Sequence, residues 1–185
     1  ITREKLAVLR KYHVERISVN PQTMQQKTLD LIGRRHTVEQ TKDAFYLARE
    51  LGFSNINMDL IIGLPKETTK DFADTLEQIK KLDPDSVTVH SLVIKRASRL
   101  RTVLEESGDL YEEEKKRFLQ MEKMLEMAQS FAQKEGYAPY YMYRQKNSAG
   151  HYGSTGQENI GYAREGKECL YNILIMEEMQ TIAAV

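Results

Sequence analysis

Apolar positions recur along the chain at two different periods, and the changes of period predict alternating helices and strands. Residues 3–13 carry Leu6, Leu9 and Tyr12 about one helical turn apart, as an amphipathic helix does. Arg16 to Asn20 alternates instead, with Ile17 and Val19 set against Arg16 and Ser18, until Pro21 halts the strand. Thr23 to Ile32 predicts a short helix with Gly33 at its stop. Thr37-Val38-Glu39-Gln40 fits a capping box opening a helix through Leu51, with Val38, Thr41, Phe45, Ala48 and Leu51 turned inward. The run Asn57–Ile62 closes on Gly63-Leu64-Pro65 and predicts a short buried strand ending in a turn. Thr69 to Leu82 is the next helix, with Phe72, Leu76 and Ile79 on one stripe, and Asp83-Pro84-Asp85 turns the chain into a strand at Val87–Ile94. A basic connection from Lys95 to Arg101 leads to a long helix, about Tyr111 to Lys134, stopped by Gly136. Phe118, Met121, Leu125, Ala128 and Phe131 line its apolar face, and Met121, Met124 and Met127 are assigned to core and flank, not to a cofactor box.

Strand and helix alternate three times between Arg16 and Lys134, which implies an α/β fold: a parallel sheet with helices outside. An open doubly wound sheet and part of a barrel both fit. In either, ligands gather at the carboxyl ends of the strands, so Asn20-Pro21-Gln22, Gly63-Leu64-Pro65 and Val93-Ile94-Lys95 are expected on one rim. After Gly136 tyrosines and glycines crowd the sequence; Tyr137–Arg144 fits a strand and His151–Glu168 reads mostly as loop.

Charge changes this picture little. Lys plus Arg equals Asp plus Glu at 27 each, which points away from nucleic acid. No apolar run reaches membrane-spanning length. The single cysteine, Cys169, allows no internal disulfide and no thiolate-only metal site, so the cytoplasm is the expected compartment. A start at Ile1 and an apolar end at Thr181–Val185 read as a piece of a longer protein. Asp59 is the outstanding chemical feature: a carboxylate inside a buried strand is costly unless it is paired or faces a ligand, and the pattern leaves both open.

Three segments together carry a resemblance: Arg16-Ile17-Ser18-Val19-Asn20-Pro21-Gln22, Ile32-Gly33-Arg34-Arg35-His36-Thr37, and Asn57 to Pro65. In this order and spacing they resemble the oxygen-independent coproporphyrinogen III oxidase family of radical S-adenosylmethionine (SAM) enzymes. The tail, Tyr140 to Asn147 with Glu158-Asn159-Ile160-Gly161-Tyr162 and Tyr171-Asn172-Ile173, looks like the coproporphyrinogen dehydrogenase branch of clostridia and bacilli. The resemblance implies the C-terminal half of a partial (β/α)6 barrel over residues 1–135, followed over 136–185 by the start of a family-specific segment. It implies SAM contacts from Gln22, Arg34 and Asp59, with backbone from Val93 against the adenine. The side chains suit that chemistry: Asp59 can accept from hydroxyls or an ammonium, Arg34 can fork onto a carboxylate, and Gln22 can donate and accept.

The family's three-cysteine motif for a [4Fe–4S] cluster and its glycine-rich SAM motif are missing from this sequence. Both belong to earlier barrel strands, so no metal ligand is expected here and the fragment alone is expected to be inactive. In the whole protein the resemblance implies oxidative decarboxylation of two propionates to vinyls, converting coproporphyrinogen III to protoporphyrinogen IX in haem biosynthesis through a 5′-deoxyadenosyl radical. An electron donor to the cluster would be required. The tetrapyrrole carries four carboxylates, for which Lys95, Arg96, Arg99 and Arg101 are candidates, with Arg144 and Lys146 second. Tyr141 and Tyr143 could stack on the macrocycle. The alternative is a radical-SAM-like haem chaperone, although Tyr141-Met142-Tyr143-Arg144-Gln145-Lys146-Asn147 differs from the chaperones' segment.

Overall fold

The structure is a computed structural model that describes residues 1–92, 110–144 and 158–177. Its centre is the strand β2, Asn55–Ile62, whose alternation decides everything around it. Ile56, Met58, Leu60 and Ile62 are all at most 1% exposed and join the hydrophobic core, so one face of the strand is sealed. Asn57 and Asp59 lie on the other face. β1, Arg16–Ser18, and β3, Ser86–Ser91, flank β2, both parallel to it.

The connections are helices, as the periodicity requires. α1 (Arg3–Lys11) precedes β1, and the connecting helices are α2 (Gln26–Leu31), α3 (Val38–Glu50), α4 (Thr69–Leu82) and α5 (Leu110–Lys134). The expected capping box is present: Gln40 N–H donates to the Thr37 hydroxyl at 3.1 Å and Thr37 N–H to Gln40 Oε1 at 3.0 Å. Thr68 and Asp71 repeat the device at α4. Val38, Thr41, Phe45 and Ala48 are buried as expected, and Met124 on α5 is fully buried, a core methionine. The amino end of β2 is fixed by Asp85, whose Oδ2 accepts from Ile56 N–H at 2.7 Å and Arg49 Nη1 at 2.6 Å.

β2 and β3 begin slightly earlier than expected, at Asn55 and Ser86, and three further differences have tertiary reasons. β1 ends at Ser18, yet its pairing continues as Val19 N–H reaches Asn57 O at 2.9 Å and resumes where Gln22 bridges Leu60. α2 starts at Gln26 and not Thr23, because the Thr23 hydroxyl is engaged by Glu67. The segment read as loop contains a strand, β5 (Glu158–Ala163), that pairs antiparallel with both β3 and β4 (Ala138–Arg144), giving the order β1-β2-β3-β5-β4. A further helix not anticipated, α6, spans Leu170–Met176.

Candidate functional site

The face of the sheet opposite the core is polar, and its residues line up by register. Asp59 on β2 is level with Thr88 on β3, Thr88 with Gly161 on β5, and Gly161 with Tyr141 on β4. One row towards the strand ends on the β2 side, Ile61, His90, Asn159 and Tyr143 form the next. Side chains in a cross-strand row share a face, so Asp59, Thr88 and Tyr141 share the side away from Met58 and Leu60.

Asn57, 3% exposed, organises this face. Its amide nitrogen donates to Asp59 Oδ1 at 2.6 Å and to Ser18 Oγ at 3.4 Å; its Oδ1 accepts from Ser86 at 3.0 Å and Thr88 at 3.1 Å. Beneath it, Arg16 Nη1 donates to Asn55 Oδ1 at 2.8 Å and Ser86 Oγ at 2.9 Å. His90 Nε2 stands 3.8 Å from Asp59 Oδ1. Burial alone would push the Asp59 carboxyl up; His90, Asn57 and Thr88 outweigh it and hold the group below the usual aspartate value. The acid therefore stays anionic with 22% of its side chain exposed on the polar face.

Burial, then neighbouring Tyr140 and Tyr143 and the Asp59 charge, push the Tyr141 phenol up. Gly161 makes the room: a Cβ there would come within 3.0 Å of both the Tyr140 and Tyr141 rings.

Gln22 stands directly beside Asp59. Its N–H donates to Asp59 O at 3.0 Å and its carbonyl accepts from Ile61 N–H at 2.8 Å, in the left-handed conformation at φ 68°. Arg34 is exposed, on a segment tied back to the same rim by His36 Nε2, 3.4 Å from Pro21 O. Leu92 N–H bonds Ile62 O at 3.0 Å, so the chain leaving β3 runs beside the carboxyl end of β2. Val93, Lys95, Arg96, Arg99, Arg101 and Lys146 lie outside the described residues, as does the side chain of Arg144, which ends β4. The backbones of Gln22 and Asp59 are thus adjacent, with Gln22 bridged level with Leu60, and Arg34 is on a loop that touches Gln22's neighbour.

Sequence reasoning missed Asn57 and Thr88 as supports of Asp59 and gave His90 no role. Asn57 did carry a signal: it precedes Asp59 by two, the spacing that puts two strand residues on one face. The partners from β3 and β4 required the register. Among the described residues no cluster of His, Cys, Asp and Glu is arranged to hold a metal ion, and no helix is long and apolar enough to cross a membrane.

The sequence profile of the radical SAM superfamily matches residues 1–79. The chain is 48% identical over its whole length to the oxygen-independent coproporphyrinogen-III oxidase-like protein HemZ of Bacillus subtilis, covering 35% of that protein. It is 36% identical over 94 residues to the haem chaperone HemW of B. subtilis, covering 51% of this chain and 25% of the chaperone. The solved structure of coproporphyrinogen III oxidase (HemN) from Escherichia coli, a radical SAM enzyme, superposes with a TM-score of 0.63 at 24% identity, over 96% of this chain and 35% of that one. The chain thus spans about a third of the length of its full-length match.

Proposed function

We propose that the chain is part of a coproporphyrinogen III oxidase-like member of the radical SAM superfamily, that its polar sheet face holds S-adenosylmethionine and that the whole protein is a radical SAM coproporphyrinogen dehydrogenase. The observation that supports this most is the anionic Asp59 with Gln22 clamped beside it at the strand end. The donor set fits the cofactor. Asp59 accepts from ribose hydroxyls or the methionyl ammonium, with Asn57 and His90 fixing its orientation through Oδ1. Gln22 exchanges hydrogen bonds with a hydroxyl, Arg34 pairs with the methionyl carboxylate, and the Val93 backbone meets the adenine. When bound, the cofactor and a [4Fe–4S] cluster supply the radical chemistry that oxidises two propionates of coproporphyrinogen III to vinyls. The chain's own residues bind, orient and shield. Tyr141 and Tyr143, on the same sheet face as Asp59, are assigned to stack on the macrocycle, and Lys95, Arg96, Arg99 and Arg144 to the substrate carboxylates. A reduced electron donor for the cluster and a cytoplasmic setting complete the reading.

The test uses the full-length protein with its cluster reconstituted under anaerobic conditions. Asp59→Asn removes the negative charge and keeps the shape, and is expected to weaken SAM binding at least about tenfold, the equivalent of one charge-assisted hydrogen bond. Undiminished affinity would refute the assignment. The match to a haem chaperone supports a second reading, binding and delivery of haem. Porphyrin product analysis set beside haem titration separates the two: turnover to vinyl product supports the dehydrogenase, and stoichiometric haem binding without turnover supports the chaperone.

A further inference from the structure

Glu67 is a buried carboxyl that takes no part in the contacts around Asp59 on the polar sheet face. It follows Gly63-Leu64-Pro65 by two residues, is 3% exposed, and its N–H bonds back to Leu64 O at 3.2 Å. Its Oε1 accepts from the Thr23 hydroxyl at 2.5 Å, and Thr23 is itself fully buried. Its Oε2 has no hydrogen-bond partner among the described residues. A buried carboxyl with one oxygen unpaired is costly, and a side chain placed so needs a reason.

The reason lies one residue before Thr23. Gln22 holds φ at 68°, a conformation a side-chain-bearing residue keeps only where its surroundings over-determine it. On the sheet side that is done by its two backbone bonds to β2. On the other side, the Thr23 hydroxyl meets Glu67, takes the N–H of Gln25 at 3.2 Å, and lies 3.4 Å from the hydroxyl of Thr75. Thr75 in turn takes the N–H of Met24 at 3.3 Å. The turn that follows Gln22 is therefore fastened to the β2–α4 loop through Glu67 and to α4 through Thr75.

We propose that Glu67 is a positioning residue that, through Thr23, holds Gln22 in its left-handed conformation at the strand end and couples the two rim loops. The inference rests on the reading that Gln22 contacts SAM. Burial pushes the Glu67 carboxyl up, with the Asp71 charge adding to it and Thr23, Thr28 and Lys27 opposing it. A neutral isostere is accordingly a fair replacement: Glu67→Gln keeps an acceptor for Thr23, and Glu67→Leu removes it at similar volume.

SAM affinity by equilibrium dialysis and the thermal midpoint are measured on full-length, cluster-reconstituted protein for Glu67→Gln, Glu67→Leu, Thr23→Val, Gln22→Ala and the double variant Gln22→Ala/Glu67→Leu. Gln22→Ala and Glu67→Leu are each expected to weaken SAM binding by about tenfold, and Glu67→Gln by less than about threefold. Because Glu67 acts through Gln22, the double variant should bind no more weakly than Gln22→Ala alone. Additive losses would mean a general structural role and would overturn the proposal. So would wild-type affinity in Glu67→Leu, or in Thr23→Val should Glu67→Leu fail to fold. If Gln22→Ala itself binds normally, the reading of Gln22 fails and the inference falls with it, an outcome distinct from normal binding by Glu67→Leu alone.

Discussion

The Asn57 side chain joins β1, β2 and β3 through contacts with Ser18, Asp59, Ser86 and Thr88. Alanine there leaves two buried hydroxyls and a carboxylate short of partners, and should cost about 2–3 kcal/mol by denaturant titration. Asn57→Asp is more telling. It puts an oxygen where a nitrogen now donates to Asp59 at 2.6 Å, and two like charges so close resist ionising together. Its destabilisation relative to wild type should be larger at pH 7 than at pH 4; the same difference at both would argue that the amide is not facing the acid. Glu67 gives the opposite sign from an ordinary paired acid. Its folded-state pKa is raised above 4.5, so the folded form holds the proton where the unfolded form has lost it. That contribution is complete below about pH 4.5 and fades as pH rises towards the folded value. Thermal midpoints of Glu67→Gln should accordingly gain on wild type as the pH is raised from 4.5, and parallel curves would contradict the buried, proton-holding acid.

Gly63 shows what the turn after β2 demands. It sits at φ 79°, and a Cβ would come 2.5 Å from Met121 Sδ and 2.7 Å from its Cγ on α5. Gly63→Ala therefore meets both a backbone penalty and a collision, about 1–3 kcal/mol together. Adding Met121→Ala should relieve the collision and leave the backbone penalty, so the pair should destabilise less than the sum of the single changes. Strict additivity in thermal denaturation would show that Met121 moves aside freely. The same turn was legible in the sequence because Gly-Leu-Pro interrupts an apolar run, and β2 and α4 were legible for equally local reasons: alternation, a stripe, a capping residue. β5 was not. Glu158-Asn159-Ile160-Gly161-Tyr162-Ala163 has a glycine in its middle, and only pairing on both sides makes it a strand. Likewise Asp59 could be singled out as a carboxylate among apolar neighbours, and Gln22 and Arg34 through the family resemblance. Asn57 carried a local signal in its i−2 spacing from Asp59, whereas the supports Thr88 and His90 needed the parallel register, which no local pattern encodes.

Across the whole molecule, β3 carries the burden of joining the parallel strands to the antiparallel pair. Residues Ser86 to His90 pair with β2 on one side and with Ala163 to Asn159 of β5 on the other. The later segment is also tied to the foot of the sheet: the Tyr137 hydroxyl donates to Pro84 O at 2.7 Å, Arg164 N–H reaches Asp85 O at 3.0 Å, and Lys167 Nζ reaches Ser54 O at 2.8 Å. A chain cut to residues 1–135 loses all of these and turns β3 from an interior strand into an edge. Val87 and Val89, now at most 2% exposed, would lose the cover given by Tyr162 and Ile160 beside them. An uncovered row of backbone donors and acceptors flanked by valines is a template for pairing with another chain. The 1–135 fragment is therefore expected to elute as self-associated species in size-exclusion chromatography with light scattering, where the 1–185 chain gives less of them at equal concentration. A monomeric 1–135 fragment with the helical circular dichroism and cooperative melting of the longer chain would show instead that the three parallel strands and their helices hold together without the antiparallel pair.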